Sequence, residues 1–413
     1  MMNKIARFGK TRFQLCLFLW VALLVSGCSG QAVSSLINVA SGANEALVAS
    51  EAPNSSVSRS GEWVMEGYSP RRDRATREAV LPPLEMAGAF AIGGETPVGS
   101  PVAVVGDLLL VEGNHRLHAL DLDRQGERWS VDLPGSFVSP AAAGQRIFVR
   151  AESGEEGYII ALQADSGQKL WQYQFPLVGS NYGNIGGHVT SPVVVEGLVL
   201  VGASQFFRAL DAESGQEVWA FNAGEPITSS AAVVDEDVFF TDFKQLHALD
   251  LKSGAERWQF APETEAVTLL FAPVVSGELV ITTSVDTVYA LDRHSGQLVW
   301  ERKLAEETLI PAGASGEQVF VKAVKQLYAL DRASGVELWS FQAPNFVSLP
   351  AITPAHVYVI TRERGGAQLR ALNREDGEVI WQVEEERLSN AAPVVAGGRV
   401  YVCTVDGQVL AYE

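Results

Sequence analysis

Leu246-His247-Ala248-Leu249-Asp250-Leu251-Lys252-Ser253-Gly254-Ala255-Glu256-Arg257-Trp258-Gln259-Phe260 is the stretch whose reading decides the fold. Two short apolar runs flank Asp-x-x-Ser-Gly. Asp bonds backbone two residues on, and Gly accepts a positive φ, so the stretch reads as a hairpin with a loop of about four residues. The same pattern recurs seven times. Its tryptophans are Trp129, Trp171, Trp219, Trp258, Trp300, Trp339 and Trp381, separated by 42, 48, 39, 42, 39 and 42 residues. Eight residues before each stands Asp121, Gln163, Asp211, Asp250, Asp292, Asp331 or Asn373, always preceded by Ala-Leu. A fixed period near 42 marks an array of one supersecondary unit.

Two more strand-like runs precede each hairpin. Examples are Ser191-Pro192-Val193-Val194-Val195 with Leu198-Val199-Leu200-Val201, and Ala272-Pro273-Val274-Val275 with Leu279-Val280-Ile281. A proline at the first position of a strand removes no ladder donor. Four short antiparallel strands in ~40–45 residues make a propeller blade. Seven full units end at Trp381, and three further strands follow at 393–395, 400–402 and 409–412. Leu84-Glu85-Met86-Ala87-Gly88-Ala89-Phe90 alternates and supplies the missing outer strand. The expectation is an all-β, eight-bladed β-propeller whose last blade is shared between the two ends of the sequence. Closure removes the open edges that an unclosed array leaves. Each tryptophan is expected to wedge against the neighbouring blade rather than to cage a cofactor. Blade one alone shifts its glycine, to Gly126.

The first 27 residues read as an export signal: Lys4, Arg7, Lys10 and Arg12, then an apolar stretch from Phe13 to Val25, too short for a spanning helix. Val25-Ser26-Gly27-Cys28 resembles the bacterial lipobox, which implies cleavage before Cys28 and a lipid on its sulfur. Residues 28–60, rich in Ser, Ala, Asn and Gly, read as a tether, and 61–413 as the propeller. With Cys16 in the signal and Cys28 lipidated, Cys403 stands alone, so no disulfide is expected. Loss of residues 1–27 removes four basic residues and no acid, taking the net charge from −18 to −22. That balance argues against nucleic acid and against direct adhesion to anionic lipid.

Asp292-Arg293-His294-Ser295-Gly296-Gln297-Leu298-Val299-Trp300, the opening Glu62-Trp63-Val64-Met65-Glu66-Gly67, and Leu81-Pro82-Pro83-Leu84 together resemble the pyrroloquinoline-quinone (PQQ)-type β-propeller repeat family. The resemblance spans about 61–413. Of its branches, the quinone-dependent dehydrogenases imply adjacent cysteines and a calcium site with a carboxylate base. This sequence has neither adjacent cysteines nor a compact acidic cluster of metal-site spacing. The lipobox, short tether and chain length resemble the BamB-like outer-membrane assembly lipoprotein branch instead.

Candidate chemistry is sparse. The histidines are His115, His118, His188, His247, His294 and His356. His118 and His247 share a repeat slot filled elsewhere by Ile160, Arg208, Tyr289, Tyr328 and Arg370, which marks a strand position and not a ligand position. No metal-ligand spacing and no nucleophile elbow is present. No catalytic residue, metal or cofactor is expected, PQQ included. The long gap before Trp219 carries Val178 to His188, and Tyr182, Asn184 and His188 are candidate partner contacts there. Leu269, Leu270, Phe346 and Val347, in equivalent connections, are expected to expose an apolar rim. These readings imply a non-enzymatic scaffold, anchored through Cys28, that binds protein partners in the cell envelope, a barrel-assembly complex being the one the resemblance suggests. A monomer is expected, extracytoplasmic, on the periplasmic face of the outer membrane or on the cell surface. Two other classes stand open: a PQQ-dependent oxidoreductase or PQQ-binding sensor, and a glycan- or peptide-binding surface lipoprotein.

Overall fold

The structure, a computed structural model, describes residues 62–92, 103–113, 115–177, 190–262, 269, 271–305 and 308–413. The signal, Cys28, the tether and the 178–189 connection lie outside these residues. All regular structure among the described residues is β. It forms eight antiparallel sheets, each one blade. Blade four shows the unit: Ala232–Val234, Asp237–Thr241, Leu246–Asp250 and Glu256–Phe260, from the axis outward. In blades two and seven the innermost strand is broken in two, at Ser136–Phe137 with Ala141–Ala143 and at Phe346–Val347 with Ala351–Ile352.

The eighth blade closes as the sequence implies. Val394–Ala396, Arg399–Cys403 and Gln408–Tyr412 are completed by Met86–Ala91. Ala89 pairs with Leu410 and Phe90 with Val409, and the backbones of Glu85 and Glu413 exchange hydrogen bonds at 2.9 and 3.0 Å.

Every outer strand carries a bulge beside the tryptophan slot. Ala248 pairs with Trp258 but Leu249 pairs with Glu256, so Arg257 is the extra residue. The bulge re-aims the indole toward the next blade. There the ring lies on a turn glycine of positive φ. A Cβ on Gly296 would come within 2.6 Å of the Trp258 ring, and one on Gly335 within 2.5 Å of Trp300. The indole N–H donates to the next blade as well: Trp129 to the Ala164 carbonyl at 2.9 Å, Trp219 to Leu251 at 2.9 Å, Trp339 to Arg374 at 2.8 Å. Six tryptophans, Trp129 through Trp339, dock in this way. Trp381 departs from the pattern. Its neighbour is the shared blade, where the two chain segments meet instead of turning, and its ring packs edge-on against Tyr412, centroids 6.3 Å apart.

The repeat's aspartates organise the turns. Asp250 Oδ1 accepts from the Ser253 N–H at 2.8 Å and the Ser253 hydroxyl at 2.7 Å. These bonds favour the charged form and hold the carboxyl well below its usual range.

Candidate functional site

An open ring of blades leaves an unpaired N–H edge along each innermost strand, and buried donors without acceptors are costly. Residues 62–80 meet one such donor in each of six blades. They form a strap that makes one lap around the axis and touches the blades in chain order as far as Glu78, after which Val80 is bound by Tyr358 of blade seven. Trp63 exchanges 3.3 Å bonds with Val104 of blade one, and the Ala142 N–H of blade two donates to Val64 at 2.6 Å. Met65 packs in the core shared by blades two to four. The Ser230 hydroxyl donates to Glu66 at 3.2 Å, and the N–H groups of Val233, Val275, Ala314 and Ile352 donate to the carbonyls of Pro70, Arg71, Asp73 and Arg74 at 2.6–3.0 Å. Gly398 of blade eight donates to Glu78 at 2.9 Å.

The strap alternates in burial. Arg72, Arg74 and Thr76 are buried, whereas Arg71 and Arg77 are exposed. Arg72 pairs with Glu66 at 2.7 Å. Burial pushes the Glu66 carboxyl up, but Arg72 and, more weakly, Arg74 outweigh that and hold it below the usual range. Burial pushes Asp73 up to about 6 and Glu78 up to about 7. The sequence motif around Trp63 was legible; its path around the ring carries no periodicity and was not.

The opposite end bears the second hairpin of each blade and the connections between blades. Of the sequence candidates, Tyr182, Asn184, His188 and Leu270 lie outside the described residues. The expected apolar rim is corrected. Leu269 and Val347 are both 0% exposed. Leu269 joins the core between blades four and five, its carbonyl accepting from Thr228 at 2.8 Å. Phe346 is half-buried beneath the Lys322 ammonium, 5.0 Å from the ring centroid. Val347 packs into the core between blades six and seven. Burial pushes Lys322 down to about 8.

The His118/His247 slot is a cross-strand pairing position. His118 meets Glu127 at 2.7 Å, and His247 lies between Asp242 at 3.0 Å and Glu256 at 2.8 Å. Burial lowers His247, yet its two carboxylates outweigh that and hold it above the ordinary value. Among the described residues no group of three or more His, Cys, Asp or Glu has metal-site geometry.

Val285 and Val405 are exposed on second-hairpin turns at this end, but most of the exposed large apolar side chains lie on the outer edges of the blades. The bulge residue before the tryptophan is exposed and apolar in five of them: Leu170, Val218, Val299, Leu338 and Ile380. Val299 and Leu338 are 51% and 49% exposed. Leu298, Val336 and Val379 add to it on blades five to seven. In blades one and four the slot holds Arg128 and Arg257, each tied to an aspartate of its own blade. The signal was present in the repeat, as the residue just before each tryptophan.

The model of the family described as "Outer membrane protein assembly factor BamB" matches residues 77–205, 203–307 and 284–413. A Yersinia pestis protein of that name is 25% identical over 291 residues, 67% of this chain and 64% of that protein. The match thus spans just under two thirds of that relative's length. The crystal structure of BamB from Moraxella catarrhalis superposes with a TM-score of 0.63 at 17% identity, covering 80% of this chain and 99% of that one. Quinohemoprotein alcohol dehydrogenase from Comamonas testosteroni superposes with a TM-score of 0.67 at 14% identity, covering 86% and 81%. At such identities the two structures share the fold alone.

Proposed function

From the premise that this chain belongs to the outer membrane protein assembly factor BamB family, we propose that it is a non-enzymatic scaffold which binds protein partners of an outer-membrane assembly complex. The observation that carries the reading is the family match, which runs from 77 to 413 and so takes in all eight blades. The apolar outer edges of blades five to seven support it, because exposed apolar clusters mark protein contacts. The strap supports a cofactor-free reading, since the chain's own backbone binds the inner strands of six blades. As part of the same proposal, Cys28 carries the lipid anchor, the body stands in the envelope as a monomer, and the 178–189 connection contributes to partner capture.

The test is affinity capture from a cell-envelope extract with three proteins: the parent, a variant lacking 180–187, and Val299→Glu/Leu338→Glu/Ile380→Glu. Recovery of a barrel-assembly component by the parent, with loss in either variant at unchanged melting temperature, is the expected result. Recovery of glycan alone, or dye reduction on adding PQQ with calcium, contradicts the reading.

A further inference from the structure

Between the strap and the inner turns of blades five, six and seven lies a cleft of about 480 Å³. That size suits a small ligand. Its charged lining is Arg71, Asp73, Arg77, Glu317, Arg332 and Arg374. Four guanidinium groups therefore face two carboxylates in a chain of net charge −18. On the equivalent turn of blade five, Arg293 is bound by Asp235 and Asp237.

In the cleft only Arg332 is so engaged, by both oxygens of Glu317 at 2.7 and 2.8 Å. Arg374 donates to the Ser315 hydroxyl at 2.8 Å, and its Nε is buried without an acceptor. The indole of Trp339 and the amide of Gln318 hold the Arg374 carbonyl, at 2.8 and 3.1 Å, so the residue's backbone is fixed. Arg71 and Arg77 are exposed on the strap and form no ion pair within 4.0 Å among the described residues. Guanidinium groups recognise planar oxyanions with paired donors, and the walls of a cleft strengthen their field.

We propose that this cleft is a binding site for an anion bearing two or more carboxylate or phosphate groups, with Arg71, Arg77 and Arg374 as its recognition residues. The strap supplies two of the three, so the site exists only while residues 62–80 are wound in place. The proposal rests on the cleft and does not depend on the scaffold reading.

The anion comes either free or on an acidic peptide segment, and calorimetry on the full chain at low ionic strength separates these. The probes are citrate, inorganic pyrophosphate and a hexa-aspartate peptide. Saturable 1:1 binding of at least one is expected. Citrate or pyrophosphate identifies a free anion, and the peptide alone identifies a protein-borne one. Arg71→Gln/Arg77→Gln should weaken binding ~tenfold or more, and Arg374→Gln similarly, because each removes charge-assisted hydrogen bonds. Arg364→Gln, on an exposed hairpin remote from the cleft, should bind within about twofold of the parent. Arg71 and Arg77 are exposed, so their double variant tests the site without risk to the fold. Failure of all three probes to saturate, or equal affinity in that double variant, overturns the proposal.

Discussion

Gly88 and Gln125 face each other across the seam between blades eight and one. A Cβ on Gly88 would meet the Gln125 side-chain nitrogen at 3.2 Å. Gly88 pairs with Ala411, the register in which other blades pair alanine with tryptophan. Gln125 holds the turn position that is glycine elsewhere. It makes the same bond, its N–H to the Asp121 carbonyl at 2.9 Å, and has a φ of 53°. Where an indole covers the turn, only glycine fits beneath it. Where the indole is absent, glutamine fills the gap despite its positive φ. Each half of the exchange explains the other.

That coupling is measurable. Gly88→Trp alone should clash with Gln125 and destabilise by ~1–3 kcal/mol. Gln125→Gly alone relieves left-handed strain but leaves Gly88 bare. The double variant should be more stable than the sum of the two, by about 1 kcal/mol or more in denaturant unfolding. Additivity within ~0.3 kcal/mol would mean the two positions do not meet.

Removing the ring from a regular seam tests the wedge. Trp258→Ala should cost ~3–5 kcal/mol, through the cavity and the lost bond to the Arg293 carbonyl at 3.0 Å. Gly335→Ala should also destabilise, by ~1–3 kcal/mol, because its methyl enters the Trp300 ring and its φ is +68°. Melting temperatures within a degree or two of the parent would contradict the packing described.

Gly313 carries the strap. Its φ is +148°, and a Cβ there would lie 2.6 Å from the Asp73 carbonyl that Ala314 binds. Gly313→Ala should loosen residues 62–80 from blade six while leaving the blades folded. Limited proteolysis should then cut within 62–80 several-fold faster, and an unchanged rate would place the strap elsewhere.

The strap also fixes the sign of a pH effect. Asp73 and Glu78 have folded-state values raised to about 6 and about 7. For a raised carboxyl the folded state binds more protons, so stability falls as pH rises from the ordinary carboxylate range through 6 to 7. His247, raised by its carboxylates, acts in the same direction. The melting temperature should be higher at pH 5.5 than at pH 8. Glu78→Gln, which can still accept from Gly398, should flatten that slope. A steeper slope in the variant, or a parent more stable at pH 8, would reverse the assignment.

Much of this was legible in the residues, because a repeat of fixed period states its own unit. The Ala-Leu-Asp turn, the tryptophan spacing and the lone strand at 84–90 suffice for eight blades and their closure. The shift from glycine at 125 to Gly126 was visible, but its cause lies across a seam that forms only when the ring closes. Leu269 and Val347 were read as exposed because loops usually are; they are buried because each side chain packs into the core at a seam between blades. The strap escaped notice since most of its bonds to the blades are made by its backbone carbonyls, which leave no pattern in side chains. The arginine cleft escaped for a related reason. Arg71 and Arg77 are far in sequence from Arg332 and Arg374, and only the lap of the strap brings them together.

Hydrogen exchange on the full chain tests the closed and strapped ring most directly. The account predicts that amides of Met86–Ala91 are protected as strongly as those of Gln408–Tyr412, and that the strap-bonded amides of Val233, Val275, Ala314 and Ile352 exchange slowly with them. Free-peptide exchange across 62–91, beside seven protected blades, would contradict it.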